Sequence, residues 1–131
     1  MQIAIVGAGP SGLWSSILLA RSGHRVTIID SQAPWEKPCG GGVTAKSLAN
    51  TAIFAENFPR KNIEQITISF GDDQTVTVQP SLPIAVVSRR ELARHLLEEA
   101  QRAGVQFVRD RVTQLQHHSS GWMVTGRERS E

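Results

Sequence analysis

The chain opens on Gln2-Ile3-Ala4-Ile5-Val6, a nearly continuous apolar run rich in β-branched residues, the pattern of a strand buried within a parallel sheet. Gly7-Ala8-Gly9-Pro10-Ser11-Gly12 follows, and then Leu13, Trp14, Ile17, Leu18 and Ala20 recur at helical spacing. That spacing predicts an amphipathic helix with Gly23 as its C-terminal stop, and Trp14 reads as a packing residue. His24 to Ile29 predicts a second strand ending at Asp30. From Ser31 to Gly42 the periodicity fails, because Pro34, Pro38 and three consecutive glycines favour neither helix nor strand; a mobile or unusually shaped loop is expected. Thr44 is placed to cap a short helix through about Asn50.

Further along, Ile63 to Phe70 alternates and predicts a strand, Gly71 to Gln74 supplies turn chemistry, and Thr75 to Gln79 completes an antiparallel hairpin. Ile84 to Val87 reads as another short strand. Ser88 is a plausible N-cap for a helix over about Arg89 to Ala103, with Leu92, Leu96, Leu97 and Ala100 as its buried face and Gly104 as its stop. Val105 to Val108 is then a further parallel strand, the helix serving as crossover. Val112 to Gln116 and Trp122 to Thr125 predict two antiparallel strands joined through Ser119-Ser120-Gly121. There is no internal repeat and no linker. The order of elements predicts an α/β fold: a Rossmann-like parallel sheet with helices and an antiparallel β-meander.

Composition narrows the function classes. With 131 residues, 40% hydrophobic and 20% charged, the chain reads as soluble and globular, one compact domain by default. A net charge of +2 with dispersed Lys and Arg offers no stripe for nucleic acid. Cys39 is the only cysteine, which excludes an internal disulfide and a Cys-based zinc site and fits a reducing, cytoplasmic setting. His24, His95, His117 and His118 show no metal-ligand spacing, so no metal site is expected. The N-terminus enters a strand directly, with no room for a leader, and no apolar stretch approaches the roughly 18 residues of a membrane span. Peripheral membrane contact stays open.

The chemistry lies in the glycine run. A lone Gly-x-Gly-x-x-Gly is a weak signal, but here a strand precedes it, a helix follows, and Asp30 ends the next strand 18 residues beyond Gly12. That context marks a dinucleotide site with an acid for the ribose. Gly7 suits the tight turn, Gly9 the close approach of a pyrophosphate, and Gly12 the packing of helix near sheet. Pro10 has no N–H to leave unpaired at an early helical position. An anion would sit on the helix N-terminus. The competing reading is a glycine-rich turn that holds no ligand. Asp30, with no Arg or Lys directly after it, would favour NAD over NADP if the cofactor were nicotinamide.

The order of strand, glycine motif, helix, acid-ended strand, hairpin, helix and strand resembles the FAD domain of the flavoprotein group that includes para-hydroxybenzoate hydroxylase. Within that group, Lys37-Pro38-Cys39-Gly40-Gly41-Gly42-Val43 is similar to the Cys-Gly-Gly-Gly signature of the geranylgeranyl reductase family, and Val87-Ser88-Arg89-Arg90-Glu91-Leu92 to the group's Arg motif. The resemblance implies that Gly7, Ala8, Gly9, Pro10, Ser11 and Gly12 surround the FAD pyrophosphate and that Asp30, with Ser31 beside it, meets the adenosine ribose. It further implies that Arg89 holds the cofactor from the side, that the backbone near Val112 meets adenine, and that Cys39, Gly40 and Gly41 lie near the isoalloxazine. In this chain the ribose acid is Asp where the family usually has Glu, and Ala93 stands where an Asp often follows the Arg motif. The later Gly-Asp motif, the substrate domain and a third meander strand have no counterpart, so residues 1–131 are read as a truncated, N-terminal part of an FAD/NAD(P)-binding domain.

Two residues carry open alternatives. Cys39 is either a catalytic residue at the flavin face or a small, buried, inert side chain in a tight turn. Arg89 is a cation where the helix dipole disfavours one, which points to a ligand or a carboxylate partner; the alternative is a surface Arg. The function implied is a flavin-dependent oxidoreductase reducing isoprenoid, geranylgeranyl-type double bonds on a small-molecule or lipid substrate, with NAD(P)H a candidate electron donor and membrane association open for the parent protein. The alternatives are an FAD-dependent aromatic monooxygenase and a non-catalytic nucleotide-binding fragment.

Overall fold

The computed structural model describes residues 1–44, 46–47, 58–71 and 74–127. Its elements are β1 (Gln2–Val6), α1 (Pro10–Arg21), β2 (Arg25–Ile29), β3 (Gly42–Val43), β4 (Lys61–Ile63), β5 (Ile66–Phe70), β6 (Gln74–Val78), β7 (Ile84–Val86), α2 (Arg89–Arg102), β8 (Gln106–Val108), β9 (Val112–His118) and β10 (Gly121–Gly126). They form two compact units, Met1–Trp35 with Arg90–Glu131, and Glu36–Arg89.

The first unit carries the parallel sheet, in the order β1-β2-β8, with Ile5 beside Ile28 and Ile28 beside Phe107. The α/β class, the parallel sheet and its helices are as predicted, but β1, read as a buried strand, lies at the end of this strand order and alternates between exposed and half-buried residues, with Val6 53% exposed. α1 packs on β1 and β2 and buries Leu13 and Ile17, each worth about 1.5–3 kcal/mol when withdrawn from water. Its inner face differs from the expected one in two positions. Leu18 is 47% exposed, and Ser16 is fully buried. The burial of Ser16 is tolerable because its hydroxyl donates to the Leu13 carbonyl at 2.7 Å, inside the helix's own turn. Gly23 closes the helix with φ +84, its N–H bonded to the Ala20 carbonyl.

α2 buries Leu92, Ala93, Leu96, Leu97 and Ala100, the predicted stripe with Ala93 added. Its outer face carries Arg94 and Arg102 paired with Glu91, Glu98 and Glu99, and Arg21 of α1 reaches Glu99 at 3.7 Å. Pairs of this kind, open to solvent, contribute little to stability. Gly104 turns the chain at φ +90 into β8. β9 and β10 pair antiparallel as predicted, with a bulge between Thr125 and Gly126, and His117 meets Trp122 edge to face across the ladder at 5.0 Å.

The second unit holds β3-β7-β4 and the separate hairpin β5-β6. Here the expected single strand from Ile63 to Phe70 is two strands, because Ile63 and Ile66 are three residues apart and cannot share a face in a continuous period of two. Gly42, expected at the end of the irregular loop, and Val43 after it pair instead with Val86 and Ala85. In the hairpin, Ile66, Ile68, Phe70, Val76 and Val78 share one face and Thr67 bonds Thr77 on the other. Thr44 accepts the Ser47 N–H at 3.3 Å, as a capping residue would. The remainder of the helix expected through Asn50 lies outside the described residues, as do Asp72 and Asp73 of the hairpin turn.

Candidate functional site

In the first unit the turn out of β1 meets the end of β2. Gly7 takes φ +100, a conformation that L side chains rarely adopt, and its N–H donates to the Ile29 carbonyl at 2.8 Å. Ala8 is buried and its N–H donates to Asp30 Oδ2 at 2.9 Å. Gly9 is the N-cap of α1 and Pro10 opens the helix, with no side-chain cap and no acidic residue in the first turn. The first intrahelical bond runs from the Leu13 N–H to the Gly9 carbonyl. The N–H groups of Ser11 and Gly12 precede it and lie at the positive end of the helix dipole.

Space around the loop divides by position. A Cβ added at Gly12 would run into the Gly7 carbonyl oxygen, whereas one added at Gly9 would meet nothing within 4 Å. Gly12 is therefore a packing glycine and Gly9 borders open room. Uncapped N–H donors, a positive dipole end and open room over Gly9 form a cradle whose chemistry favours an anion.

Asp30 follows β2 and is tied down on both oxygens. Oδ1 accepts the N–H groups of Gln32 and Ala33 at 2.7 and 2.8 Å, and Oδ2 accepts Ala8. Desolvation pushes its pKa up, but the three backbone donors and the nearby Arg109 charge together outweigh it and hold the carboxyl below its ordinary range. A carboxyl lowered in the folded state contributes stability that is present above its unfolded pKa and is lost as pH falls through the folded one. The amide shifts of Ala8, Gln32 and Ala33 should therefore titrate together at a pH below the ordinary carboxylate range; a midpoint at or above that range would contradict the arrangement.

Arg109, which sequence reasoning did not single out, braces the same turn. Its guanidinium donates to the Ala33 carbonyl at 2.8 Å and lies 5.6 Å from the Phe107 ring centre. The available signal was positional: Arg109 directly follows β8 as Asp30 follows β2, at the carboxyl end of the parallel sheet where ligands of such folds bind. Ser31 is exposed beside Asp30, and Val112 is half-buried at the start of β9, opposite Gly126.

The second unit holds the other predicted residues. Cys39 is a free, exposed thiol, not the buried side chain of the inert reading. Gly40 is exposed; Gly41 is buried at φ +66, and its carbonyl accepts the Val87 N–H at 3.1 Å. At the start of α2 the partner expected for Arg89 is one for its side-chain charge, whereas the bonded carboxylate is that of Glu36 and meets the Arg89 backbone. It accepts the Arg89 N–H at 2.9 Å and the Ser88 hydroxyl at 2.8 Å, a favourable placement for an anion at a helix N-terminus. No local pattern marks Glu36, since its partners are more than 50 residues away. Gly7 to Gly12 and Asp30 are thus brought together in one unit, and Cys39 to Gly41 and Arg89 in the other. Among the described residues no group of His, Cys, Asp and Glu could hold a metal ion, and no helix is long and apolar enough to cross a membrane.

A family model described as FAD binding domain matches residues 1–131. The menaquinone reductase of Mycobacterium tuberculosis is 28% identical over 94% of the chain and 32% of its own length. Among solved structures, the halogenase PltM superposes with a TM-score of 0.82 at 17% identity, covering 98% of this chain and 32% of that one, and it has also been solved with phloroglucinol and FAD. A geranylgeranyl bacteriochlorophyll reductase-like protein of Thermoplasma acidophilum gives 0.76 at 19% identity, over 91% and 33%. The chain spans about a third of the length of the curated relatives it matches. The structural likenesses, all below 25% identity, share the Rossmann-like α/β fold.

Proposed function

Because this chain belongs to the FAD binding domain family, we propose that it binds FAD through the α1 cradle and forms part of a flavin-dependent oxidoreductase acting on isoprenoid double bonds. The observation that carries the binding is the open, uncapped turn from Gly7 to Gly12 beside Asp30. The residues fit the group: the N–H donors of Ser11 and Gly12 would hold the pyrophosphate, and Asp30 would meet the ribose. When bound, the flavin supplies hydride transfer, and the protein supplies position and polarity.

The substrate class rests on the Cys39-Gly40-Gly41-Gly42 run and on the two reductases among the similar proteins, one of menaquinone and one geranylgeranyl bacteriochlorophyll reductase-like. NAD(P)H as donor and peripheral membrane contact by the whole protein belong to the same proposal. An aromatic monooxygenase is the second reading, favoured by the halogenase likeness, which shares the fold. Titrating the ¹⁵N-labelled chain with FAD, ADP and NAD is expected to move the amides of residues 7–12 with FAD and ADP. Shifts confined to residues remote from this loop, or a response to NAD alone, would remove the FAD reading.

A further inference from the structure

We propose that Arg109 is a positioning residue of the nucleotide site: it fixes the turn that carries Asp30 and, through Asp30, the grip on a ribose, without touching the ligand itself. The inference rests on the FAD reading above and concerns how one end of that site is held. Within the turn, Asp30 Oδ1 accepts the N–H groups of Gln32 and Ala33, so the acid and the residues after it are closed on each other. Oδ2 accepts the Ala8 N–H, and one of the roughly four acceptor positions of a carboxylate stays open beside it for a ligand hydroxyl.

Where that open position points depends on how the turn is fastened to the sheet, and the end of β8 supplies both fastenings. The Asp30 N–H donates to the Val108 carbonyl at 3.1 Å, continuing the β2-β8 ladder beyond the pairing of Ile29 with Val108. Past Asp30 the turn leaves the ladder, and there the Arg109 guanidinium donates to the Ala33 carbonyl at 2.8 Å. Ala33 has no exposed surface, so without Arg109 its carbonyl would lose a partner that water cannot readily replace. The guanidinium is itself located by the Phe107 ring, whose centre lies 5.6 Å away. Its charge also favours the ionised form of Asp30, the form that accepts hydroxyls from every position. Arg109 is exposed along part of its length, so direct contact with a ligand is the competing role. The two roles differ in how they combine with a change at Asp30.

Arg109→Met keeps a long side chain and removes both donor and charge, whereas Arg109→Lys keeps the charge and one donor. In the unliganded protein, Arg109→Met should move the midpoint at which the Gln32 and Ala33 amides titrate upward and speed their exchange, with the residues of β2 unchanged as the control for folding. Arg109→Lys should keep the midpoint low. ADP should bind Arg109→Met about tenfold more weakly, as for one lost hydrogen bond to a charged group, and Arg109→Lys should recover part of the loss. On an Asp30→Asn background the same Met substitution should cost less than about twofold, because the group through which Arg109 acts is already altered. Equal losses on the two backgrounds would make Arg109 a ligand contact and overturn the proposal. Gln32 and Ala33 amides that exchange and titrate in Arg109→Met as in the wild type would overturn it as well. A wild-type chain that binds no ADP removes the FAD reading, a separate result, and the exchange and titration of the unliganded variants still decide whether Arg109 holds the turn.

Discussion

Gly12→Ala is expected to destabilise the first unit by about 3 kcal/mol, the upper end of what overpacking costs, and to abolish nucleotide binding with it. The new methyl would land on the Gly7 carbonyl oxygen, with the Gly7 carbonyl carbon at 3.3 Å and Ile5 Cγ2 at 3.4 Å. The main obstacle is backbone and cannot rotate away. Gly7 is itself held by its bond to Ile29, so relief requires α1 to move off the sheet it packs against. Gly9→Ala is the control. It meets nothing within 4 Å and its φ is −73, so stability should change by less than about 0.5 kcal/mol while the room for a diphosphate is reduced. Chemical denaturation and ADP titration of both variants check the pair. Equal destabilisation by the two would show that the division between a packing glycine and a ligand-facing glycine is wrong.

Gly41→Ala is expected to be the corresponding lesion in the second unit. At φ +66 an alanine pays about 1–2 kcal/mol for the left-handed backbone, and its methyl would also run into the Val87 carbonyl oxygen, adding about 1–3 kcal/mol. The bond from the Val87 N–H to the Gly41 carbonyl should be lost, and with it the short β3 pairing that follows at Gly42 and Val43. Amide exchange at Val87 and Val43 reports this directly. Protection in β1 and β2 of the other unit should stay unchanged. Gly40→Ala, with nothing within 4 Å and no positive φ, should leave both units as they are. Retained Val87 protection in Gly41→Ala would mean that the loop has another way to sit.

Much of this architecture is written in short-range pattern. The strand at Gln2–Val6, though not its expected burial, the stripe of α2 and the stops at Gly23 and Gly104 are local demands of period and backbone conformation, so they are legible without knowing what lies across from them. The same holds for the glycine loop, where the strand before it, the helix after it and the acid 18 residues on define the candidate site.

What the sequence did not disclose depends on partners far along the chain. Gly42 and Val43 are a strand only because β7 supplies hydrogen bonds, and nothing in two residues announces that. Asp30 was legible as an acid in the right place, yet its bond to Ala8 was not, nor was the Arg109 brace, which spans 76 residues to Ala33. Glu36 at the head of α2 belongs to the same class. Periodicity and spacing specify which residues are buried and which backbone turns are allowed. Which N–H a given carboxylate accepts is decided only when chain closure brings the two together, as it brings the Ala8 N–H to Asp30.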